Sequence, residues 1–245
     1  GYVGAKTGLS LDLLSQRAFG EKGSYLPSAM TSFTQIGWFS VGSFVSGGTA
    51  TPNFTRFAKN GKSGAITTVV AFFIGNSLMF FFGAVSSIFV GGNDIFEVMV
   101  RLNLFYLAVL VLGLNIWTTN DNALYTAGLG LANIFHQRKK PMVLLSGIIG
   151  TVASVWLYYN FCGWLNILNC TLPPVGMILV LAYFMNKEDF ETDQPKLKTI
   201  DWFAVAGVIL GAIVANLLHW GIASINGMVV AAVCYCVGQA VNKRK

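Results

Sequence analysis

From residue 23 to the C-terminus, long uncharged stretches alternate with short polar or charged links. A helix crossing a hydrocarbon core of about 30 Å needs roughly 20 apolar residues. The stretches Ile66–Val90, Val98–Ile134, Met142–Tyr158, Trp164–Phe184, Phe203–Leu218 and Ile225–Val241 meet or approach that length. The pattern predicts an all-α polytopic membrane protein, a single transmembrane unit over 1–245 with no soluble domain. The flanks orient the spans. Arg56, Lys59 and Lys62 precede Ile66, and Asp94 and Glu97 follow Val90. Later basic clusters stand at Gln137-Arg-Lys-Lys140, in the link Asn186–Thr199 and at Asn242-Lys-Arg-Lys245. Alternating the spans puts all of these clusters on one side, and the excess of Lys and Arg in cytoplasmic loops makes that side, with the C-terminus, cytoplasmic.

The first fifty residues break the rhythm. Gly23–Thr55 is long for one span and short for the two that would need about 40 residues plus a turn. A single crossing would place Arg17 and Lys22 opposite Arg56, Lys59 and Lys62. The expectation is that Gly23–Phe39 goes out and Val41–Phe54 returns, both as partial helices, with sequence missing near Phe39-Ser40-Val41. The opening Gly1-Tyr-Val-Gly-Ala-Lys6, without an initiating Met, reads as a fragment of a longer polypeptide.

Composition supports the membrane assignment: 54% of the 245 residues are hydrophobic and 11% charged, against about 25% charged in a soluble domain. The formal charge of +6 is dispersed in the links, where it meets phospholipid headgroups, so no nucleic-acid partner is expected. Cys162, Cys170, Cys234 and Cys236 form neither C-x-x-C nor a zinc spacing. His136 and His219 sit in separate links, and no nucleophile elbow, Walker or dinucleotide motif is present. Asn53-Phe-Thr55 and Asn169-Cys-Thr171 match the glycosylation pattern, but one abuts a cytoplasmic cluster and the other lies in a span. The chain is not expected to be an enzyme, to carry an organic cofactor, or to need an obligate protein partner.

The candidate chemistry lies inside the apolar stretches. The run Leu114-Asn-Ile-Trp-Thr-Thr-Asn-Asp-Asn-Ala-Leu-Tyr125 crowds polar side chains where lipid tolerates few, the mark of a solute or ion path. Asn115, Thr118 and Thr119 at i, i+3 and i+4 share one helical stripe, whose neutral oxygens suit an alkali cation. Helix-to-helix hydrogen bonding explains the same stripe without an ion. Asp121 can steady a cation site, carry a proton, or cap and pair without a transport role. Gln35 and Trp38, three apart, place an amide and an indole on one face. They can read the edge and cover the face of a heterocycle, or serve as a helix contact beside an interfacial aromatic. Ser43 and Phe44 offer a second platform. Gly47-Gly48, among Ser43, Ser46, Thr49, Thr51 and Pro52, fits either a broken helix with freed backbone groups or a kink. Glycines at 42, 75, 83, 113, 128, 130, 147 and 150 are expected at close helix contacts, and Pro173-Pro174 at a bend.

Thr34-Gln-Ile-Gly-Trp-Phe39, Val41-Gly-Ser-Phe-Val-Ser-Gly-Gly-Thr49, Phe72-Phe-Ile-Gly-Asn-Ser-Leu-Met-Phe80, Leu114–Tyr125 and Leu172-Pro-Pro-Val-Gly176 together resemble the nucleobase:cation symporter-1 family of bacterial permeases. The resemblance covers practically the whole chain. It implies twelve transmembrane helices in the intact protein, ten of them in the inverted-repeat arrangement of sodium-coupled amino-acid transporters, in the inner membrane. It implies sodium-coupled cytosine import, the alternative being symport of another nucleobase, a hydantoin or a similar small heterocycle with sodium or protons. Carried over by residue, Trp38 and Phe44 would sandwich the base and Gln35 and the Ser43 backbone would bond its edge. Asn115 would lie between base and cation, and Thr118 and Thr119 would hold sodium through their hydroxyls. The first helix and most of the second are absent, as is sequence between the Gln-Ile-Gly-Trp-Phe and Gly-Ser-Phe runs, so the resemblance implies an incomplete site.

Overall fold

The computed structural model of the chain describes residues 2–41, 52–91, 95–192, 197–218 and 221–242, with the backbone alone for 35–41, 72, 76 and 158. Ser43, Phe44 and the Gly47-Gly48 pair lie outside the described residues. The described residues form only helices and links. Three short helices open the chain or follow the undescribed segment: α1 (Tyr2–Thr7), α2 (Leu11–Phe19) and α4 (Pro52–Thr55), with α3 (Tyr25–Val41) between the last two. The rod α5 (Gly61–Val90) carries a π-helical turn at Val70–Gly75. Then come α6 (Ile95–Arg101), α7 (Phe105–Phe135), α8 (Lys139–Tyr159), α9 (Phe161–Met185), α10 (Lys187–Glu191), α11 (Trp202–Leu217) and α12 (Ala223–Asn242).

Among the described residues, four helices are long and apolar enough to cross a membrane: Gly61–Val90, Lys139–Leu157, Phe161–Met185 and Ala223–Val241, with the shorter apolar α11 beside them. The 31-residue α7 is the longest helix described yet is not among the four, because its polar run dilutes an otherwise apolar sequence. The spans expected from the sequence thus appear as α5, α7, α8, α9, α11 and α12, with two corrections. The stretch Val98–Ile134 is not one helix: it divides between α6 and α7 at Asn103, whose φ of 59° lies in the left-handed region that ends a helix. Pro173-Pro174 does not interrupt α9, which runs through both prolines. Proline at 173 removes the N–H that Asn169 O would accept, and the Ser224 hydroxyl of α12 donates to that carbonyl instead at 3.3 Å.

Helix ends follow local chemistry. Asn60 accepts from Ser63 N at 2.8 Å to cap α5, and Asp201 accepts from Ala204 N at 3.2 Å to cap α11. Two groups of helices result. In one, α3, α7 and α8 pack on each other; in the other, α9, α11 and α12 do. The core of the second group contains Val175, Ile178, Tyr183, Val208 and Tyr235, and α2 inserts Leu14, Ala18 and Phe19 into it. A smaller cluster of Ala123, Leu157, Trp164, Leu168 and Leu172 joins α7, α8 and α9.

Of the glycines expected at close contacts, Gly128 lies against Val143, and Gly130 against Ser28 and Ser32. Gly42 lies outside the described residues, and among the described ones Gly75, Gly83 and Gly113 have nothing within 4 Å of an added Cβ, so the packing expectation fails there. The glycine-to-glycine contact of the C-terminal group was not anticipated: an added Cβ on Gly211 would sit 2.7 Å from Gly227 O.

Candidate functional site

The polar stripe read from the sequence sits on α7, and the helix against it is α3. Their register can be followed contact by contact. Asn133 donates to Ser24 and Ser28, Gly130 abuts Ser28 and Ser32, and Ser32 donates to Ala127 O at 3.1 Å. Rising numbers on α3 meet falling numbers on α7, so the two are antiparallel. Continued at the same rise per residue, this register sets Gln35 and Trp38 opposite the segment 120–125. The indole and amide positions therefore lie on one helix and the cation-stripe positions about a turn further along its neighbour.

Within α7, Asn115 and Thr118 are exposed and Thr119 is half-buried. The Thr118 hydroxyl donates to Leu114 O at 3.1 Å and to Asn115 O at 3.0 Å. A hydroxyl that donates backward still presents its lone pairs outward, which is what a cation needs. The Asn115 carbonyl, which the helix already commits to an N–H, shares its remaining capacity with Thr118. For that oxygen to ligate an ion, the hydroxyl must turn toward Leu114.

Asp121 does not converge with Thr119. Two residues apart on a helix means about 200° of rotation. Its exposed carboxylate opens instead onto a groove of about 460 Å³ lined by Phe54, Phe57, Asn122, Tyr125, Lys139 and Val143, among others. There the Lys139 ammonium lies 3.6 Å from the Tyr125 ring centroid, Arg56 donates to the Tyr125 hydroxyl, and Phe54 stacks obliquely on the same ring. A larger cavity of about 860 Å³ lies along α9, with Asn166 and Asn169 among mostly apolar residues. Asn115, Thr118 and Thr119 line neither of these two cavities.

Two asparagines of the polar run, Asn120 and Asn122, and a third outside it, Asn133, were not among the site residues expected from the sequence. Asn122 is i+7 from Asn115 and i+4 from Thr118, so spacing alone extends the stripe to it. Asn120 shares the opposite face with Ala123 and Ala127, the face that meets α3. Its Oδ1 is buried and has no hydrogen-bond partner among the described residues, an acceptor held at the depth of Trp38. Asn133 closes a buried cluster with Gln16, Ser24 and Ser28, and its partners are too distant in sequence for any local pattern to reveal them. The sequon residue Asn53 is fully buried and accepts from Leu11 N at 2.8 Å, which leaves no room for a glycan.

Membrane-length apolar helices, packed around a helix that carries a polar stripe, define a multi-pass helical membrane protein. Comparison with known proteins gives its family. Residues 1–50 and 40–241 match the family described as "Permease for cytosine/purines, uracil, thiamine, allantoin". Proteins named cytosine permease from Escherichia coli K12 and from the O6:H1 and O157:H7 strains are each 35% identical over 338 aligned positions. Those positions span the whole of this chain and 80% of the relative. The chain has 245 residues, so the alignment includes positions that the relatives fill and this chain does not. The chain belongs to the nucleobase:cation symporter-1 family and is a transport protein, not an enzyme.

Proposed function

We propose that the protein imports cytosine together with sodium, by alternating access across the bacterial inner membrane. The observation that carries the proposal is the antiparallel packing of α3 on α7. It puts the Gln35 and Trp38 positions on the neighbour of the helix that carries the stripe of neutral oxygens, about a turn from it, in a chain 35% identical to proteins named cytosine permease. In this reading Trp38 and Phe44 cover the two faces of the base, while Gln35, the Ser43 backbone and Asn115 bond its edge. Thr118, Thr119 and Asn115 hold sodium, with Asp121 as electrostatic support. The set contains no carboxylate in direct contact with the ion, and a hard monovalent cation suits such oxygens.

The twelve-helix inverted repeat belongs to this proposal, as do the cytoplasmic C-terminus and a missing segment near 39–41. Two observations support the last point. The two family matches overlap across 40–50, and the alignment with the relatives is longer than the chain. Asn115 and Thr118 open outward from α7, where hydrocarbon would leave them unsatisfied. Sequence of the kind the relatives carry in excess would cover them.

Transport then rests on coupling. Sodium organises the pocket, the base binds between the aromatics, and each favours the other by the same factor. An amide such as Gln35 can match the amine and ring acceptor of cytosine, and uracil would leave polar groups unpaired. The test is binding and uptake of cytosine in sodium and then in potassium or choline, with uracil as competitor. Saturable, sodium-requiring uptake that ignores uracil supports the proposal. Sodium-independent uptake shifts the driving ion to protons and Asp121. Uptake of uracil, thiamine or allantoin in place of cytosine moves the substrate to another compound named in the family description.

A further inference from the structure

The amphipathic helix α2 commits its two faces to different groups of helices. Leu14, Ala18 and Phe19 enter the core of α9, α11 and α12. Asp12 and Gln16, one turn apart, face α3 and α7. The end of α2 is also tied to the link before α11: Glu21 N donates to Lys198 O at 2.7 Å, Lys22 N to Thr199 O at 2.8 Å, and Asp201 N to Phe19 O at 2.6 Å.

The hydrogen bonds on the polar face run in one direction. Gln16 Nε2 donates to Asn133 Oδ1 at 2.7 Å, and Asn133 Nδ2 donates to Ser28 Oγ at 2.8 Å and Ser24 Oγ at 3.2 Å. The two serines can accept because their own protons are spent, that of Ser28 on Asp12 Oδ1 and that of Ser24 on Glu21 O, each at 2.7 Å. An ionised carboxylate can only accept, so Asp12 in that form fixes the direction of the chain and with it the orientation of the Asn133 amide. Asn133 uses both N–H groups and its oxygen. Aspartate would lack the donors, leucine would lack every partner, and glutamine is a methylene too long.

The cluster sits where α3 and α7 first meet, and Gly130 against Ser28 and Ser32 is the next contact along. Asn133 is 14 residues from Thr119 in the sequence, roughly 20 Å along the helix, so it touches neither ion nor base. We infer that α2 is a strut that fixes the register of α3 on α7, with Asn133 and Gln16 as its positioning residues. They hold Gln35 and Trp38 opposite residues 120–125, about a turn from the Asn115–Thr119 stripe, and thereby set how strongly cation and heterocycle promote each other's binding. This rests on the proposal that α3 and α7 form two walls of one site, and a hydrogen-bonded element packed on both walls is a physical carrier of such coupling.

The test measures register and coupling separately in the full chain. With Cys162, Cys170, Cys234 and Cys236 replaced, spin labels at the exposed positions Phe33 on α3 and Leu110 on α7 report the distance between the helices. One narrow distance is expected for the parent and for Ser146→Ala, whose lost hydroxyl bonds only within α8. Asn133→Leu should shift or split the distance by up to about one helical turn, roughly 5 Å. Gln16→Met, which removes one donor from a partly buried position, should do so less, and it decides the matter if the leucine variant does not fold. In both variants the ratio of cytosine affinities with and without sodium should fall by about fivefold or more, whereas simple instability would reduce only the active fraction. An unchanged distance in the folded variants overturns the strut, and so does a shifted distance with unchanged sodium coupling. If the parent binds no cytosine in any salt, the substrate assignment falls, while the distance measurement still decides whether α2 sets the register.

Discussion

A threonine hydroxyl inside a helix usually donates to a carbonyl one turn back, as Thr34, Thr68 and Thr171 do here. Thr118 makes the same bond, so its geometry alone does not mark it as functional. Its company does: Asn115, Thr119 and Asn122 share its face, and 3.6-residue spacing made three of the four legible from sequence. Thr118→Val removes the oxygen and keeps the shape. Hydrogen-bond-like contacts to a charge are worth about 1.5–3 kcal/mol, so the half-saturating sodium concentration should rise about tenfold or more while cytosine affinity at saturating sodium stays near the parent value. A sodium titration of cytosine binding checks this. Asn133 was not legible, because its meaning comes from Gln16, Ser24 and Ser28, more than a hundred residues away. Asp12 is a second such residue. Burial holds its carboxyl above the usual range, and the Ser28 hydroxyl, its own backbone N–H and Arg56 oppose that shift without cancelling it. A carboxyl raised on folding favours the folded state when protonated. Stability from this group therefore grows as pH falls through the folded pKa, and levels off near the ordinary carboxylate value of about 4. Glu191, held low by its hydrogen bond from Lys6, acts in the opposite sense. Melting curves from pH 8 to 5 should therefore be compared between the parent and Asp12→Asn, and the increment on acidification should be missing from the variant.

At the scale of elements, hydropathy located the long helices but not the faces they use. Glycine spacing is the clearest case. Gly130 and Gly113 lie in one helix and look alike in sequence, yet an added Cβ on Gly130 would be 2.8 Å from Ser28 O, while one on Gly113 meets nothing within 4 Å. Gly130→Ala should cost about 1–3 kcal/mol through overpacking and weaken the contact of α3 with α7. Gly113→Ala should be neutral or stabilise by up to about 1 kcal/mol, as alanine replaces glycine in an open helix. Thermal unfolding in detergent separates the two. The prolines teach the same lesson from the other side. A proline pair predicts a lost backbone bond, but only the packing of α12 reveals that Ser224 replaces it, and that the Asn169 side chain lies beside the same hydroxyl. The break between α6 and α7 was hidden because both sides of Asn103 are equally apolar.

For the whole molecule, alternation of apolar stretches with charged links gave an all-helical, multi-pass protein, since nothing else spans hydrocarbon without stranding backbone groups. The direct contacts of Lys6 with Glu191, Arg17 with Asp189 O, and Arg56 and Lys139 with Tyr125 were beyond its reach, as was the division into two groups of helices keyed by α2. The hairpin of α11 and α12 adds a constraint on the surrounding lipid. At 16 residues α11 rises about 24 Å, less than the roughly 30 Å of a typical hydrocarbon core, and its contact at Gly211 and Gly227 ties it to the longer α12. Its ends cannot reach both interfaces of a thick bilayer, so acyl chains around this hairpin must shorten or disorder. Reconstituted in a series of phosphatidylcholines of increasing chain length, the protein should resist heat best in the thinner bilayers and lose that resistance as the chains lengthen.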